Sequence, residues 1–285
     1  MSAQLTDDRV VDRFAAVKKF INGAASAVLS RTLTAPLDRL RVVMMTEATR
    51  LTVSKALVKC LQEGGVTSLW IGNGINCTKV APEMGFKLMA FAELKKKICV
   101  DGSKITPAER FVAGALAGGC AQCAVYPLEV VRTRFGAIGG RKQYRSIYDC
   151  LRKTYSSGGV RALYAGLIPS CCGIFPYAGV DLALNSYLQD KAAAHYGVRH
   201  ARDIGIWSLL GCGFVSSMAA TTVTFPLYVL RTKLQATGMG LTQGVRELNQ
   251  EGLRGFYRGF IPTLAKTVPA TSIAYASYEY FCKMW

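Results

Sequence analysis

Apolar runs of membrane length alternate along the chain with basic, polar stretches. Residues 206–227, 111–128 and 162–180 carry no charge; 20–37 carries only Arg31 and 260–278 only Lys266. Residues 71–94 are also apolar, although they hold Lys79, Glu83, Lys87 and Glu93. A bilayer-spanning helix needs about 20 mostly apolar residues, so these six windows predict six membrane helices. All are rich in Gly, Ser, Thr and Cys, which suits helices that pack closely on one another.

The polar residues at the ends of these windows are not scattered. The first window runs into SRTLTAPLDRLR (30–41), where Pro36 is followed by Asp38, Arg39 and Arg41. The pattern returns as YPLEVVRTR at Pro127 and FPLYVLRTK at Pro226. A second marker recurs as EGGVTSLWIG, SGGVRALYAG and EGLRGFYRG, with aromatics Trp70, Tyr164 and Tyr257. A further proline follows each aromatic by 12 residues: Pro82, Pro176 and Pro269. Small residues precede each first proline in register: Gly23 and Ala27, Gly114 and Gly118, Gly213 and Ser217. Several markers in register three times define an internal repeat. The chain reads as a short segment (1–16) and three repeats, 17–102, 103–200 and 201–285. Each holds an odd helix ending in the charged proline cluster, a polar loop and an even helix. Short amphipathic stretches at 53–61, 147–155 and 241–248 predict interfacial helices in the loops. Three helix pairs in pseudo-threefold symmetry enclose one central space, which gives the intramembrane charges somewhere to face.

Composition sharpens this picture. The 285 residues are 51% hydrophobic with a mean hydropathy of +0.22, yet hold 35 Lys+Arg against 18 Asp+Glu, a net charge of +17. Such a chain suits a membrane protein with anionic partners. Its bases lie along apolar segments rather than in a tail, which argues against nucleic acid. The ten cysteines show no framework. Cys120 and Cys123 form a lone CxxC inside a predicted membrane helix, better read as packing thiols than as a metal or redox site. No signal-peptide core and no DxDxDG calcium loop occurs. His195 and His200 fall in a loop beyond the fourth window, so no catalytic triad, metal site or cofactor is expected and the chain is not read as an enzyme.

These repeats resemble the mitochondrial carrier family over nearly the whole chain. The family pattern is Px[D/E]xx[K/R]x[K/R], a loop, then [D/E]Gx4[W/Y/F][K/R]G, three times. Within the family the chain looks most like the ATP-Mg/phosphate (adenine nucleotide) carriers, on SRTLTAPLDRL, SLWIGNGINCTKVAPE, ERFVAGALAG, GIFPYAGVDLA and a PLYVLRTK without its acid. The EF-hands of that branch's calcium-regulated members are not expected here. The resemblance implies an all-α carrier fold of six transmembrane helices and a multi-pass place in the mitochondrial inner membrane. It further implies exchange of adenine nucleotides and phosphate by alternating access, and a monomer.

The resemblance also implies a matrix gate in which Asp38 pairs with Arg132 and Glu129 with Arg231. Arg41 then faces Tyr228 and finds no acid, and Gln235 takes the place of a bracing glutamine. The same pairs could serve only to hold the helices together. At the opposite, cytosolic gate only Lys95 and Glu279 remain in place, so that gate is expected to be weak.

Where symmetric positions differ between repeats, substrate is the natural reason. Nine residues past each aromatic stand Lys79, Gly173 and Lys266; five before each first proline, Arg31, Gln122 and Thr221; seventeen past the aromatic, Lys87, Asp181 and Ala274. Lys79, Lys266 and Arg31 suit phosphate oxygens. Gly173 and Ile174 leave room and apolar surface for a purine, with Tyr177 one turn on to stack. Lys79, Glu83 and Lys87 share a helix face, and Glu83 and Lys87 could instead simply pair. Gly173 alone could be a packing glycine. The aromatic-Gly turns, at the starts of the even helices, suit lipid phosphate, cardiolipin by resemblance. A carrier of another phosphorylated cofactor such as coenzyme A, and a carrier-like protein that does not transport, are the alternatives.

Overall fold

The computed structural model describes residues 18, 20–47, 49, 51–98, 107–197 and 205–284; the segment 1–16 and His200 lie outside them. Among the described residues the regular structure is helical. Repeat 1 holds α1 (20–33), α2 (Ala35–Thr46), α3 (Val53–Gly64), a 3-10 turn (Val66–Trp70), α4 (Asn73–Thr78) and α5 (Val80–Ile98). Repeat 2 holds α6 (Pro107–Gly136), α7 (Gly140–Gln143), α8 (Ile147–Leu163) and α9 (Leu167–Tyr196). Repeat 3 holds α10 (Ile206–Thr237), α11 (Leu241–Gln250), α12 (Leu253–Phe256) and α13 (Phe260–Met284). All six apolar windows are helical. The fourth helix outruns its window and takes in His195, which the hydropathy pattern had placed in a loop.

Each odd helix carries its proline at the position where a bend is expected. The break between α1 and α2 falls at Thr34, just before Pro36, while Pro127 and Pro226 lie inside α6 and α10. Proline lacks the N–H that would bond the carbonyl four residues back, so Pro36 frees the carbonyl of Thr32 and Pro226 that of Thr222. The aromatic markers take these up. Trp70 Nε1 donates to Thr32 O at 2.9 Å, and the Tyr257 hydroxyl to Thr222 O at 3.2 Å. Repeat 2 solves the same turn by stacking: Tyr164 lies on Tyr126 at 5.9 Å, and the Tyr126 hydroxyl donates to Ala165 O at 3.0 Å. In repeats 1 and 3 the two sequence markers work together, the aromatic taking up the carbonyl that the proline frees.

Packing runs mainly between repeats. α5 lies along α6, α9 along α10 and α13 against α2, while α2, α6 and α10 meet one another at the kinked end. That end holds the core. Ala56 and Cys60 of α3 pack on Leu40, Val43 and Met44; Cys150 of α8 on Val131 and Ile75; Leu248 of α11 on Leu230 and Leu234. The apolar windows of α9 and α10 are only 11% and 22% buried, unlike the core helices of a water-soluble protein.

Close approach at the seams needs glycine. Gly72, Gly166 and Gly259 have φ of +84°, +81° and +74°, a region that costs a side chain dearly. Each sits against the next repeat: a Cβ would lie 3.5 Å from Arg132 O, 2.9 Å from Arg231 O and 3.2 Å from Arg41 O respectively.

The carbonyl account predicts unequal costs for the aromatics. Trp70→Phe and Tyr257→Phe each leave a carbonyl without its donor and should lower stability by about 1–3 kcal/mol. Tyr164→Phe keeps its stacked ring and should cost less than about 0.5 kcal/mol. Thermal unfolding of the purified variants measures this, and equal losses at all three positions would contradict it.

Candidate functional site

The proline kinks put two carboxylates at the centre of the kinked end, each two residues past its proline. Asp38 side-chain exposure is 7% and that of Glu129 is 13%. A carboxylate so enclosed needs cations and hydrogen bonds to offset its lost hydration. Asp38 Oδ2 lies 2.8 Å from Lys266 Nζ and 3.3 Å from Arg132 Nη2, and its Oδ1 lies 3.0 Å from Arg41. Glu129 Oε1 lies 2.9 Å from Lys79 Nζ, while Oε2 accepts from Arg231 and from Gln122. The structure thus brings Asp38 to Arg132 and Glu129 to Arg231, across the seams between repeats 1 and 2 and between repeats 2 and 3.

The third seam departs from expectation. Arg41 does stand opposite Tyr228, but its guanidinium lies over the ring, 5.1 Å from the centroid, instead of bonding the hydroxyl. It also finds an acid, Asp38 on its own helix, because residues three apart share a face. A charge that lost its partner across the seam is held from within its repeat, with a cation–π contact on the far side. Gln235, one turn past Arg231, accepts a hydrogen bond from Thr133 of repeat 2 at 2.9 Å.

The two lysines singled out by symmetry are tied to these same carboxylates. Lys79 is 5% exposed. Glu83 lies 3.7 Å from Lys79 and 3.6 Å from Arg31, so the Glu83–Lys87 pairing is not what forms; Lys87 is exposed. Arg31 also donates to the Asn76 carbonyl at 2.8 Å. Gly173, Ile174 and Tyr177 line a cleft of about 250 Å³, with Gln122, Tyr228 and Arg231 at its rim. A Cβ on Gly173 would meet only Leu227, at 4.0 Å, so the glycine leaves open space in place of a tight helix contact. One turn further, Asp181 is held by Ser216 and Ser217 at 2.8 and 3.0 Å. At the opposite end Lys95 and Glu279 are both exposed, and neither joins a salt bridge among the described residues.

Sequence comparison of repeats did not single out five of these partners as site residues: Gln122 on Glu129, Asn76 on Arg31, Thr133 on Gln235, and Ser216 and Ser217 on Asp181. Gln122 was within reach, since it occupies the position of Arg31. The others are uncharged residues whose partners lie on other helices, and no spacing announces them.

The family model for mitochondrial carrier proteins matches residues 12–101, 103–195 and 202–285. Similar curated proteins include "Mitochondrial adenyl nucleotide antiporter SLC25A24" of Danio rerio, 39% identical over 274 residues, covering 92% of this chain and 57% of that protein. "Mitochondrial adenyl nucleotide antiporter SLC25A25" of Homo sapiens is 40% identical over 275 residues, with 92% and 58% covered. "Calcium-binding mitochondrial carrier protein SCaMC-2" of Bos taurus is also 40% identical, with the same coverage. The chain therefore spans a little over half the length of the relatives it matches. Three matched repeats, each with its kinked odd helix and charged cluster, place this chain in the mitochondrial carrier family.

Proposed function

We propose that the protein is an antiporter of adenine nucleotides and phosphate, embedded as a six-helix monomer in the mitochondrial inner membrane, with repeats at 17–102, 103–200 and 201–285. The observation that carries this reading is the charge imbalance at the kinked end. Arg41, Arg132 and Lys266 surround Asp38, and Lys79 and Arg231 surround Glu129. Five cations thus face these two carboxylates, and with Arg31 and the Glu83 it shares with Lys79 the cluster holds six cations and three carboxylates. A polyphosphate supplies the missing negative charge, and a purine fits the cleft beside Gly173, Ile174 and Tyr177. Phosphate oxygens compete with Asp38 and Glu129 for Lys266 and Lys79, which weakens the ion pairs that close the kinked end. That end is the matrix gate in this reading, and the cavity opens past Lys87 and Asp181 towards the cytosol.

Anionic lipid, cardiolipin by the family resemblance, fits two seams. Between repeats 2 and 3 a cleft of about 480 Å³ lies at the starts of α9 and α11, where free N–H groups favour an anion. Between repeats 3 and 1 a cleft of about 170 Å³ carries Arg254 and Arg258. A second functional reading, a carrier-like protein that binds without transporting, draws on the exposed Lys95 and Glu279. Coenzyme A is the rival substrate. Labelled ADP exchange in proteoliposomes, with competition by phosphate and coenzyme A, separates these. Ligand-induced thermal stabilisation without exchange would favour the non-transporting relative.

Lys79→Ala and Lys266→Ala should each lower ADP exchange by roughly ten- to hundredfold, the worth of a charge-assisted contact, in protein that still purifies folded. Unchanged uptake in both would remove the lysines from the site. Gly173→Trp fills the cleft and should block nucleotide while sparing phosphate exchange; equal loss of both would make Gly173 a packing residue.

The gate itself should respond unevenly. Asp38→Asn leaves three cations without their counter-charge and should cost about 3–5 kcal/mol. Tyr228→Leu removes one cation–π contact and should cost about 0.5–2 kcal/mol. Thermal unfolding in the absence of substrate reads both, and a larger loss for Tyr228→Leu would invert that ranking.

A further inference from the structure

One layer outward from the carboxylates, three buried arginines each cross a different seam. Arg39, Arg134 and Arg258 are 2%, 9% and 8% exposed. Arg39 of repeat 1 donates to Ala137 O, just past the end of α6, at 3.3 Å. Arg134 of repeat 2 donates to Gln235 O in the last turn of α10 at 3.1 Å. Arg258 of repeat 3 donates to Glu47 O, the residue that ends α2, at 2.6 Å. All three run in the same sense, from each repeat to the odd-helix C-terminus of the next. All three are also anchored in their own repeat: Arg39 to Glu63 at 2.5 Å, Arg134 to the Thr154 hydroxyl at 3.1 Å, and Arg258 to Glu251 at 2.7 Å.

The chemistry suits the place. The last carbonyls of a helix lack intrahelical donors, and the negative end of the helix dipole attracts cations. A guanidinium can hold an acceptor in each repeat at once, which an ammonium does less well. The three arginines are not equivalent by repeat. Arg39 stands where repeats 2 and 3 have Val130 and Val229. Arg134 stands where repeat 1 has Val43 and repeat 3 has Lys233, and Lys233 turns to Glu247 and Glu251 of its own repeat. Arg258 stands where Ile71 and Ala165 occur. Three unrelated positions have converged on one contact, and a static support for individual helices would not need that common sense of rotation.

We propose that Arg39, Arg134 and Arg258 form a second closure of the kinked end, a ring of arginine caps on the three odd-helix C-termini, which holds as a unit and breaks with the carboxylate gate in each transport cycle. The cycle part rests on the antiporter reading; the closure part does not.

The test uses Val42→Cys in the full chain. Val42 is 8% exposed and lies at the seam between repeats 1 and 2, against Gly136. Labelling of that thiol by a water-soluble maleimide, read by peptide mass, tracks the open fraction when closing is fast. Lysine replacements keep the charge. Arg39→Lys should speed labelling roughly tenfold, and so should Arg134→Lys and Arg258→Lys, although these act at other seams. Native Cys60, fully buried between α3 and α2 within repeat 1, touches Arg39 and so is the control for the other two variants: it should not change in Arg134→Lys or Arg258→Lys. Acceleration of Val42→Cys confined to Arg39→Lys, or acceleration of Cys60 in Arg134→Lys or Arg258→Lys, overturns the ring in favour of local supports. Thr154→Val, which strips the anchor of Arg134 without disturbing a charge, should act like Arg134→Lys. For the cycle part, a Cβ on Gly136 would lie 4.0 Å from Val42 Cβ, a spacing that a disulfide accepts. Oxidised Val42→Cys/Gly136→Cys protein should lose ADP exchange and regain it on reduction; exchange that persists in the oxidised form overturns it. A wild-type protein that exchanges no ADP counts against the antiporter reading alone, since the labelling rates need no substrate.

Discussion

A carboxylate two residues past a helix kink, at the meeting point of three helices, cannot stay enclosed without cations. Much of the structure follows from that constraint. Asp38 and Glu129 each draw a base from a neighbouring odd helix, and these contacts bring α2, α6 and α10 together at one end. They also draw Lys266 from α13 and Lys79, at the junction of α4 and α5, so even helices are tied to the same centre. In repeat 1 the proline, the ion pair and the aromatic that takes up the freed carbonyl occur together; repeat 2 keeps the ion pair but stacks its aromatic, and repeat 3 keeps the aromatic's hydrogen bond but has Tyr228 in place of the acid.

The fold was legible because the chain states it three times. Period, proline, aromatic and small-residue markers all agreed, whereas hydropathy alone marks α9 and α10 clearly among the described residues and is lowered at 71–94 by Lys79, Glu83 and Lys87. The charged residues of the candidate site were singled out for a related reason: among symmetric repeats, a departure from symmetry marks a position. What stayed hidden was where each charge goes once its expected partner is missing. Arg41 has no acid across the seam, and only three-dimensional packing shows that it turns to Asp38 and to the face of Tyr228. Glu83 likewise chooses Arg31 and Lys79 over Lys87. Such choices depend on which groups share a buried space, and linear spacing does not encode that.

The same limit hides the arginine caps. Comparison of repeats finds residues that occupy one position three times. Arg39 occupies its position once, and Arg134 and Arg258 stand at the trailing basic positions of the family pattern, which the other repeats keep only as Lys233, so no one position carries the contact three times. What is repeated is the acceptor, the free carbonyls at the end of an odd helix, and carbonyls leave no trace in a sequence. Threefold symmetry in this chain belongs to the backbone's needs more than to the side chains that meet them.

The surplus of cations at the kinked end has a consequence for small ions on either side of a bilayer. Arg41, Arg132, Arg231, Lys79 and Lys266, set against Asp38, Glu129 and the Glu83 that Lys79 shares with Arg31, present a net positive cluster to hydronium, sodium and potassium alike. Field lines focused by low-dielectric walls raise that barrier well above what the same charges would impose at a surface. The imbalance on which the proposed polyphosphate binding rests would thereby also be an electrical seal against cation leak.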